Sequence, residues 1–220
     1  SVAVAGDAVT VEVTNLTNAI TFTPLLISAH KHSTHLFQAG TSASAHLQAM
    51  AEGGDISGLV ADLTAASAAI SANPAGGLLT PGASTGATLA MGKKNRRLSI
   101  VAMLLPTNDG FVGLDSLMIP REKGSYTFYL NGYDAGTEAN NEIINGGGAP
   151  GVSGIPADPS GNGGTAASGV TASENNPTIH IHRGIVGDTD ANGGASDLDS
   201  TVHSWINPVA KIVVTVGADD

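Results

Sequence analysis

The sequence predicts an all-β fold, an antiparallel β-sandwich with a short helical insertion and a long glycine-rich loop, and three observations carry that reading. Seven short runs of β-branched and other apolar residues lie at 9–13, 20–28, 98–104, 111–119, 125–130, 178–182 and 210–216, most of them bounded by Gly, Pro, Asn or Asp. One region alone, 42–70, repeats its apolar residues at helical spacing. Residues 145–176 contain nine Gly and no aromatic, too little apolar surface for a core of their own.

Taken in chain order, the first two runs precede the helical segment and the remaining five follow it. Within the segment, Leu47, Met50, Leu59, Leu63 and Ile70 mark one face of two helices over 42–52 and 55–70. Ser42 and Asp55 are placed as N-caps, and Gly53-Gly54 forms the break between the helices. A helical hairpin inserted between two strands follows. No repeat with a period of 20 to 50 residues is visible, so neither a solenoid nor a propeller is expected and residues 1–220 read as a single domain.

Composition narrows the function. The 220 residues carry 19 acids against 9 bases, a formal net charge of −10, and four of the bases sit in Lys93-Lys94-Asn95-Arg96-Arg97. A nucleic-acid partner needs a basic face, so none is expected. Absence of Cys excludes a disulfide scaffold and any thiolate metal site. No apolar stretch approaches the ~18 residues a membrane span needs. The sequence starts at Ser1, without Met, directly before a strand-like run, as expected of an exported chain whose signal has been removed, so the expected location is the periplasm, the cell surface or the medium. Neither a glycine-rich phosphate loop nor a His-Glu-x-x-His helix is present, and the expectation is a protein that is not an enzyme.

Seven His is a high count for so weakly charged a chain. His30, His32 and His35 follow an apolar run. Ile179-His180-Ile181-His182 alternates, so an extended backbone puts both imidazoles on one face and both Ile on the other. Two His-x-His pairs meeting at a sheet edge would offer neutral nitrogen ligands suited to a copper ion or to zinc. A polar outer face is the alternative. His30, His180 and His182 are the leading copper ligands, with His32, His35 and His203 in reserve; Trp205 reads as a core plug beside His203, and His46 as an exposed helix residue.

The acids form three groups. Asp188-x-Asp190-x-Asn192-Gly193, with Asp199 further on, has the spacing of a twelve-residue calcium loop, although Asp, Asn and Gly are also ordinary turn residues. The stretches 108–115 and 133–142 each follow a strand, so carboxylates from separate loops could meet at one end of a sandwich and hold a calcium ion.

Several segments resemble the spondin N-terminal domain in its bacterial secreted form: Val11-Glu12-Val13-Thr14-Asn15-Leu16-Thr17, Leu36-Phe37-Gln38-Ala39-Gly40, the run from Met103 through Asn108-Asp109-Gly110-Phe111-Val112-Gly113-Leu114-Asp115, Tyr133-Asp134-Ala135-Gly136-Thr137-Glu138-Ala139-Asn140, His180-Ile181-His182-Arg183-Gly184-Ile185 and Trp205-Ile206-Asn207-Pro208-Val209-Ala210. The resemblance implies a C2-like sandwich with a calcium site whose matching oxygens here belong to Asp109, Asp134 and Glu138, joined by Asn108 and Asp115, and it implies no catalytic residue. The same architecture is similar to copper(I)-binding surface proteins of methane-oxidising bacteria. Two functions are therefore in competition: a secreted or periplasmic copper-binding protein, serving uptake, buffering or delivery to a surface or periplasmic partner, and a calcium-dependent adhesion or matrix-type module.

Overall fold

A computed structural model describes residues 8–171 and 173–217. Ten strands form one antiparallel sheet system: β1 Ala8–Asn15, β2 Thr21–Phe22, β3 Leu26–His30, β4 Ala69–Ala72, β5 Ser84–Ala90, β6 Arg97–Leu105, β7 Gly110–Met118, β8 Gly124–Asp134, β9 His180–Ile181 and β10 Ala210–Val216. Their order is β4-β3-β6-β7-β8-β10-β1-β5, with β2 added to β6 and β9 to β8. The two ends of this order, β4 and β5, come back into contact, so the sheet nearly closes on itself as a sandwich-like all-β fold.

Inside it, Val9, Val11 and Val13 of β1 pack with Phe22, Ile27, Ile100, Val112, Leu130, Ile212 and Val214. Strand β10 shows the expected alternation, every second residue being buried. Strand β6 does not: eight of its nine residues are buried. Both of its faces are covered, the inner one by the sandwich core and the outer one by the helical hairpin, α1 Ala45–Gly53 and α2 Ser57–Ala65. Leu47, Met50, Leu59 and Leu63 pack there on Leu26, Val101 and Met103, and Phe37, Phe111 and Tyr133 extend this second core.

The elements differ from the sequence reading where local chemistry intervenes. Run 20–28 is two strands with Pro24 between them, since Pro cannot donate to a central ladder. Ser44, not Ser42, caps α1, its hydroxyl accepting from Leu47 N at 3.1 Å. Asp55 Oδ1 accepts from Ser57 N at 2.8 Å at the start of α2. That helix ends at Ala65, and Ser67 takes a positive φ of 57°. Ile70 therefore lies in β4, opposite Ser28, where its β-branch suits a strand. Strand β5 escaped prediction because Ser-Thr-Gly-Ala-Thr-Leu-Ala offers a single large apolar residue. Residues 82–86 read Gly-Ala-Ser-Thr-Gly, the Gly-x-Ser-x-Gly pattern of a nucleophile elbow, but Ser84 opens β5 and bonds Thr14 Oγ1 at 2.8 Å in place of turning into a helix. The expected strand 178–182 shrinks to His180–Ile181, and beyond it Ile179 is buried while Ile181 is 52% exposed, so the two Ile do not share an environment.

Candidate metal centre

Adjacent strand ends bring the central acids together. Asp134 closes β8 and pairs in register with Gly110, the first residue of β7, so Asp109 stands immediately beside it. The next four residues explain the Asp-Ala-Gly-Thr-Glu motif. Asp134 Oδ1 accepts from Gly136 N at 2.8 Å, a tight turn in which Gly136 has a φ of 70°. A Cβ on Gly136 would come within 2.7 Å of Thr178 O, so only glycine fits the turn. Thr137 then gives Asp109 Oδ2 both its N–H, at 2.8 Å, and its hydroxyl, at 3.1 Å, and Glu138 N follows at 3.3 Å. Glu138 Oε2 accepts from Gly154 N at 2.8 Å.

Each of those two carboxylates keeps one oxygen without a donor: Asp109 Oδ1 and Glu138 Oε1 are buried and unpaired. Burial raises the pKa of Asp109 to about 7, and the nearby Asp134 carboxylate adds to the rise. Glu138 is also raised to about 7, by burial first and then by the charges of Asp109 and Glu52, against the opposing N–H of Gly154. Asp134 Oδ2 accepts from Asn140 Nδ2 at 2.6 Å. Asn108, 1% exposed, donates through Nδ2 to Asn141 Oδ1 at 2.9 Å and accepts from Glu142 N at 3.1 Å. Among the described residues no group of three or more His, Asp or Glu is already gathered as a metal-ligand set. The donors nevertheless suit a hard cation: they are all oxygen, they come from two strand ends and a loop, and two of them are buried with nothing to satisfy them.

β9 and the residue that follows it add His180 and His182 beside this cluster. His180 Nδ1 donates to Thr178 O at 2.8 Å, which leaves its Nε2 lone pair 3.7 Å from Asp134 Oδ2. His182 is the reverse. Its Nδ1 accepts from Gly184 N at 3.0 Å, so in the neutral ring Nε2 carries the proton, buried and unpartnered. Burial lowers its pKa to about 4 despite the Asp134 charge. Trp205 stands against this ring, centroids 4.9 Å apart, rather than against His203.

The other His do not join them. His30 is fully buried at the far end of the sheet, where it pairs with Arg97, which pairs with Met118. The length of β7, about 26 Å by strand rise, separates that level from Asp109. Both His30 nitrogens are in use: Nδ1 donates to Lys31 O at 2.8 Å and Nε2 accepts from Ser99 Oγ at 2.7 Å. Burial lowers its pKa. His32 is exposed in a turn, and His35 pairs with Asp115, Nδ1 to Oδ2, at 2.7 Å. Asp115 is thus a partner for His35, five positions along β7 from Gly110. His46 pairs with Asp62 at 2.7 Å on the helical hairpin.

The loop 188–199 is satisfied from within. Asp188 takes N–H donors from Asp190, Ala195 and Ser196 at 2.7–3.0 Å, Asp190 Oδ1 takes Asn192 N at 2.9 Å, and Asp199 Oδ1 caps the short helix α3 Ser200–His203 through Thr201 N at 2.7 Å. Two further acids hold the neighbouring loops: Asp197, which sequence reasoning passed over, and Glu142, the end of the acidic stretch 133–142. Asp197 accepts from Ile144 N, Thr165 N and Ala167 N at 2.6–3.3 Å, and Glu142 accepts from Val186 N, Gly187 N and Ser196 Oγ at 2.5–2.8 Å. Asp158 stands alone in a Gly-rich stretch and Asp197 falls outside the calcium-loop spacing of its neighbours, so nothing in the sequence marked either.

Comparison with known proteins agrees with the two strand-end motifs. The family model described as Spondin_N matches residues 14–143, more than half of the chain, and the chain belongs to that family. Asn108, Asp109, Asp115, Asp134 and Glu138 lie inside the match, whereas His180, His182 and His203 lie beyond it. No curated protein matches the sequence. Membership makes the chain an extracellular-type binding module. No helix among the described residues is long and apolar enough to cross a membrane.

Proposed function

We propose that this chain is a secreted or periplasmic, non-catalytic binding module whose sandwich is stiffened by one calcium ion at the joined ends of β7 and β8. The observation that carries the reading is the pair of buried, unpaired oxygens, Asp109 Oδ1 and Glu138 Oε1, on carboxyls that burial holds near 7. Asp109, Asp134 and Glu138 would hold the ion, with Asn108 beside them. A bound divalent cation supplies the positive charge that these desolvated groups lack. The chain's own residues do the positioning: Thr137 and the Glu138 N–H fix Asp109, and Asn140 fixes Asp134. The test is thermal melting with calcium and with EDTA. A higher melting temperature with calcium and a bound ion in elemental analysis are expected; equal melting temperatures with no calcium bound would refute the site.

A second reading, copper binding at the same end of the sheet, is favoured by one observation. His180 presents an uncommitted Nε2 lone pair beside Asp134 and is partly exposed, at 29% of its side chain. His30 supports it less because both its nitrogens are committed, to Lys31 and Ser99, and His182 because its Nδ1 accepts from Gly184 N, which leaves the proton on its buried Nε2. Copper titration of the parent and of His180→Ala tests it. Equal uptake by both would remove His180 from the ligand set.

A further inference from the structure

The acidic cavity behind α3 differs in character from the strand-end cluster. It measures about 430 Å3 and is walled by Asp158, Asp188, Asp190, Asp197, Asp199 and His203, with no Lys or Arg among its lining residues. Four of these acids are committed to backbone donors: Asp188 and Asp197 each hold several N–H groups, Asp190 holds that of Asn192, and Asp199 caps α3. Asp158 is different. Its Oδ1 accepts from Ser160 N at 2.8 Å, but Oδ2 is buried without a hydrogen-bond partner, on a side chain only 2% exposed.

Facing that oxygen is His203 Nε2, 3.6 Å away, on a side chain 7% exposed. The distance is too long for a hydrogen bond, which needs about 2.7–3.2 Å. It suits two ligands of one ion, since bonds of about 2.0–2.2 Å at a tetrahedral angle set the donor atoms about 3.4 Å apart. The far side of the ring completes the case. His203 Nδ1 lies 3.1 Å from Asp199 N and 3.2 Å from Asp199 O, so the backbone can receive either tautomer. With Nδ1–H donating to the Asp199 carbonyl, Nε2 turns a lone pair toward Asp158, the arrangement that orients metal-bound imidazoles.

We propose that His203 Nε2 and Asp158 Oδ2 hold a borderline divalent transition-metal ion of the zinc class, with cavity water completing its shell and the surrounding carboxylates drawing the cation in. One nitrogen and one oxygen donor distinguish this site from the all-oxygen set at Asp109, and it is independent of the function proposed above.

Zinc is the probe. The chain, saturated with calcium so that the strand-end carboxylates are occupied, is titrated calorimetrically with Zn2+ as parent, Asp158→Asn, His203→Gln and, as a control in a His outside every proposed site, His46→Ala. Expected is one zinc site in the parent and in His46→Ala, weakened by about tenfold or more in Asp158→Asn and His203→Gln. Nitrogen-detected NMR of the parent His203 ring supplies a readout that needs no variant: zinc should switch the ring to the Nδ1–H tautomer. Absence of zinc binding by the parent, equal binding by Asp158→Asn, or a ring that stays Nε2–H with zinc bound would each overturn the proposal and leave an ordinary water-filled cleft.

Discussion

Two acid-rich regions of this molecule solve the same electrostatic problem in opposite ways. Around 142–199, carboxylates other than Asp158 are satisfied by the backbone. Asp197 is lowered in pKa although burial pulls it up, because the N–H groups of Thr165, Ile144 and Ala167 outweigh that pull, and Asp188 is lowered by the N–H groups of Ser196, Asp190 and Ala195. At the ends of β7 and β8, Asp109 and Glu138 are raised to about 7 and each leaves a buried oxygen bare. Acid density is similar in the two places. What differs is where the donors fall: Asp188 and Asp197 receive N–H groups on both carboxylate oxygens, whereas three donors converge on Asp109 Oδ2 and one on Glu138 Oε2, leaving the other oxygen of each bare. A cation is therefore wanted where buried oxygens are left bare, not where acids are most regularly spaced.

Calcium removal should break the comparison most visibly. An ion that binds only the folded state at a hundredfold excess over its Kd adds about 2.7 kcal/mol, which corresponds to about 5–10 °C for a chain of this length. The pH dependence sharpens it. Asp109 and Glu138 titrate near 7 when folded and near 4 when unfolded, so without calcium their protonated forms favour the fold at low pH. That contribution is lost as pH rises from about 4 to about 7. Protons compete with the cation, so calcium's own stabilisation should grow over the same window. Melting curves from pH 5 to 7.5 in EDTA and in calcium measure both slopes, and a metal-free melting temperature that climbs across this range counts against the raised carboxyls.

Asp197→Ala tests the other region. Removing an acceptor that holds three backbone N–H groups and the Thr165 hydroxyl should cost about 1–3 kcal/mol. The loss should be the same with calcium and with EDTA. Since Asp197 is lowered in the fold, its contribution is present above about pH 4 and fades as pH falls below that. Should Asp197→Ala abolish calcium binding, the two regions are coupled and the contrast drawn above fails.

A smaller effect of opposite sign is expected for Asp109→Asn. The amide relieves repulsion with Asp134 and keeps an acceptor for Thr137, so the metal-free chain should melt about 2–4 °C higher, the equivalent of about 1 kcal/mol. Its response to calcium should disappear. A variant that melts lower than the parent in EDTA would mean that Asp109 is adequately paired without a cation.

Much of this was legible in the sequence where chemistry is local. The run at β10 alternates because one of its faces is buried, and Asp134 closes the Asp-Ala-Gly turn with its own carboxylate, two residues from the N–H it accepts. Legibility fails where meaning depends on long-range partners. His30 and His180 look alike in sequence, each beside an apolar run, yet Ser99 and Lys31 consume both nitrogens of one while Thr178 leaves the other half free. Strand β5 was invisible because its small residues pack by courtesy of β1. Asp197 is mute for the same reason, its donors lying 30 to 53 residues away.

The weakest expected effect concerns Asp190. By spacing alone, Asp188, Asp190 and Asn192 look like the start of a calcium loop, and Gly193, with a φ of 133°, takes a backbone that favours glycine. In the fold the loop is already closed: Asp188 holds three N–H groups, Asp190 holds that of Asn192, and Asp199, which would complete a twelve-residue loop, faces Thr201 at the start of α3. With its oxygens engaged by the backbone, the loop gains little from a cation. Asp190→Ala should leave stability unchanged within about 0.5 kcal/mol, as is usual for an exposed substitution. Backbone amide shifts of 188–199 should not move when calcium is added to either the parent or the variant, while those of 134–138 move in both. Calcium-dependent shifts in 188–199 that vanish on Asp190→Ala would restore the loop as a site, and would show that regular spacing can outweigh a full complement of backbone donors.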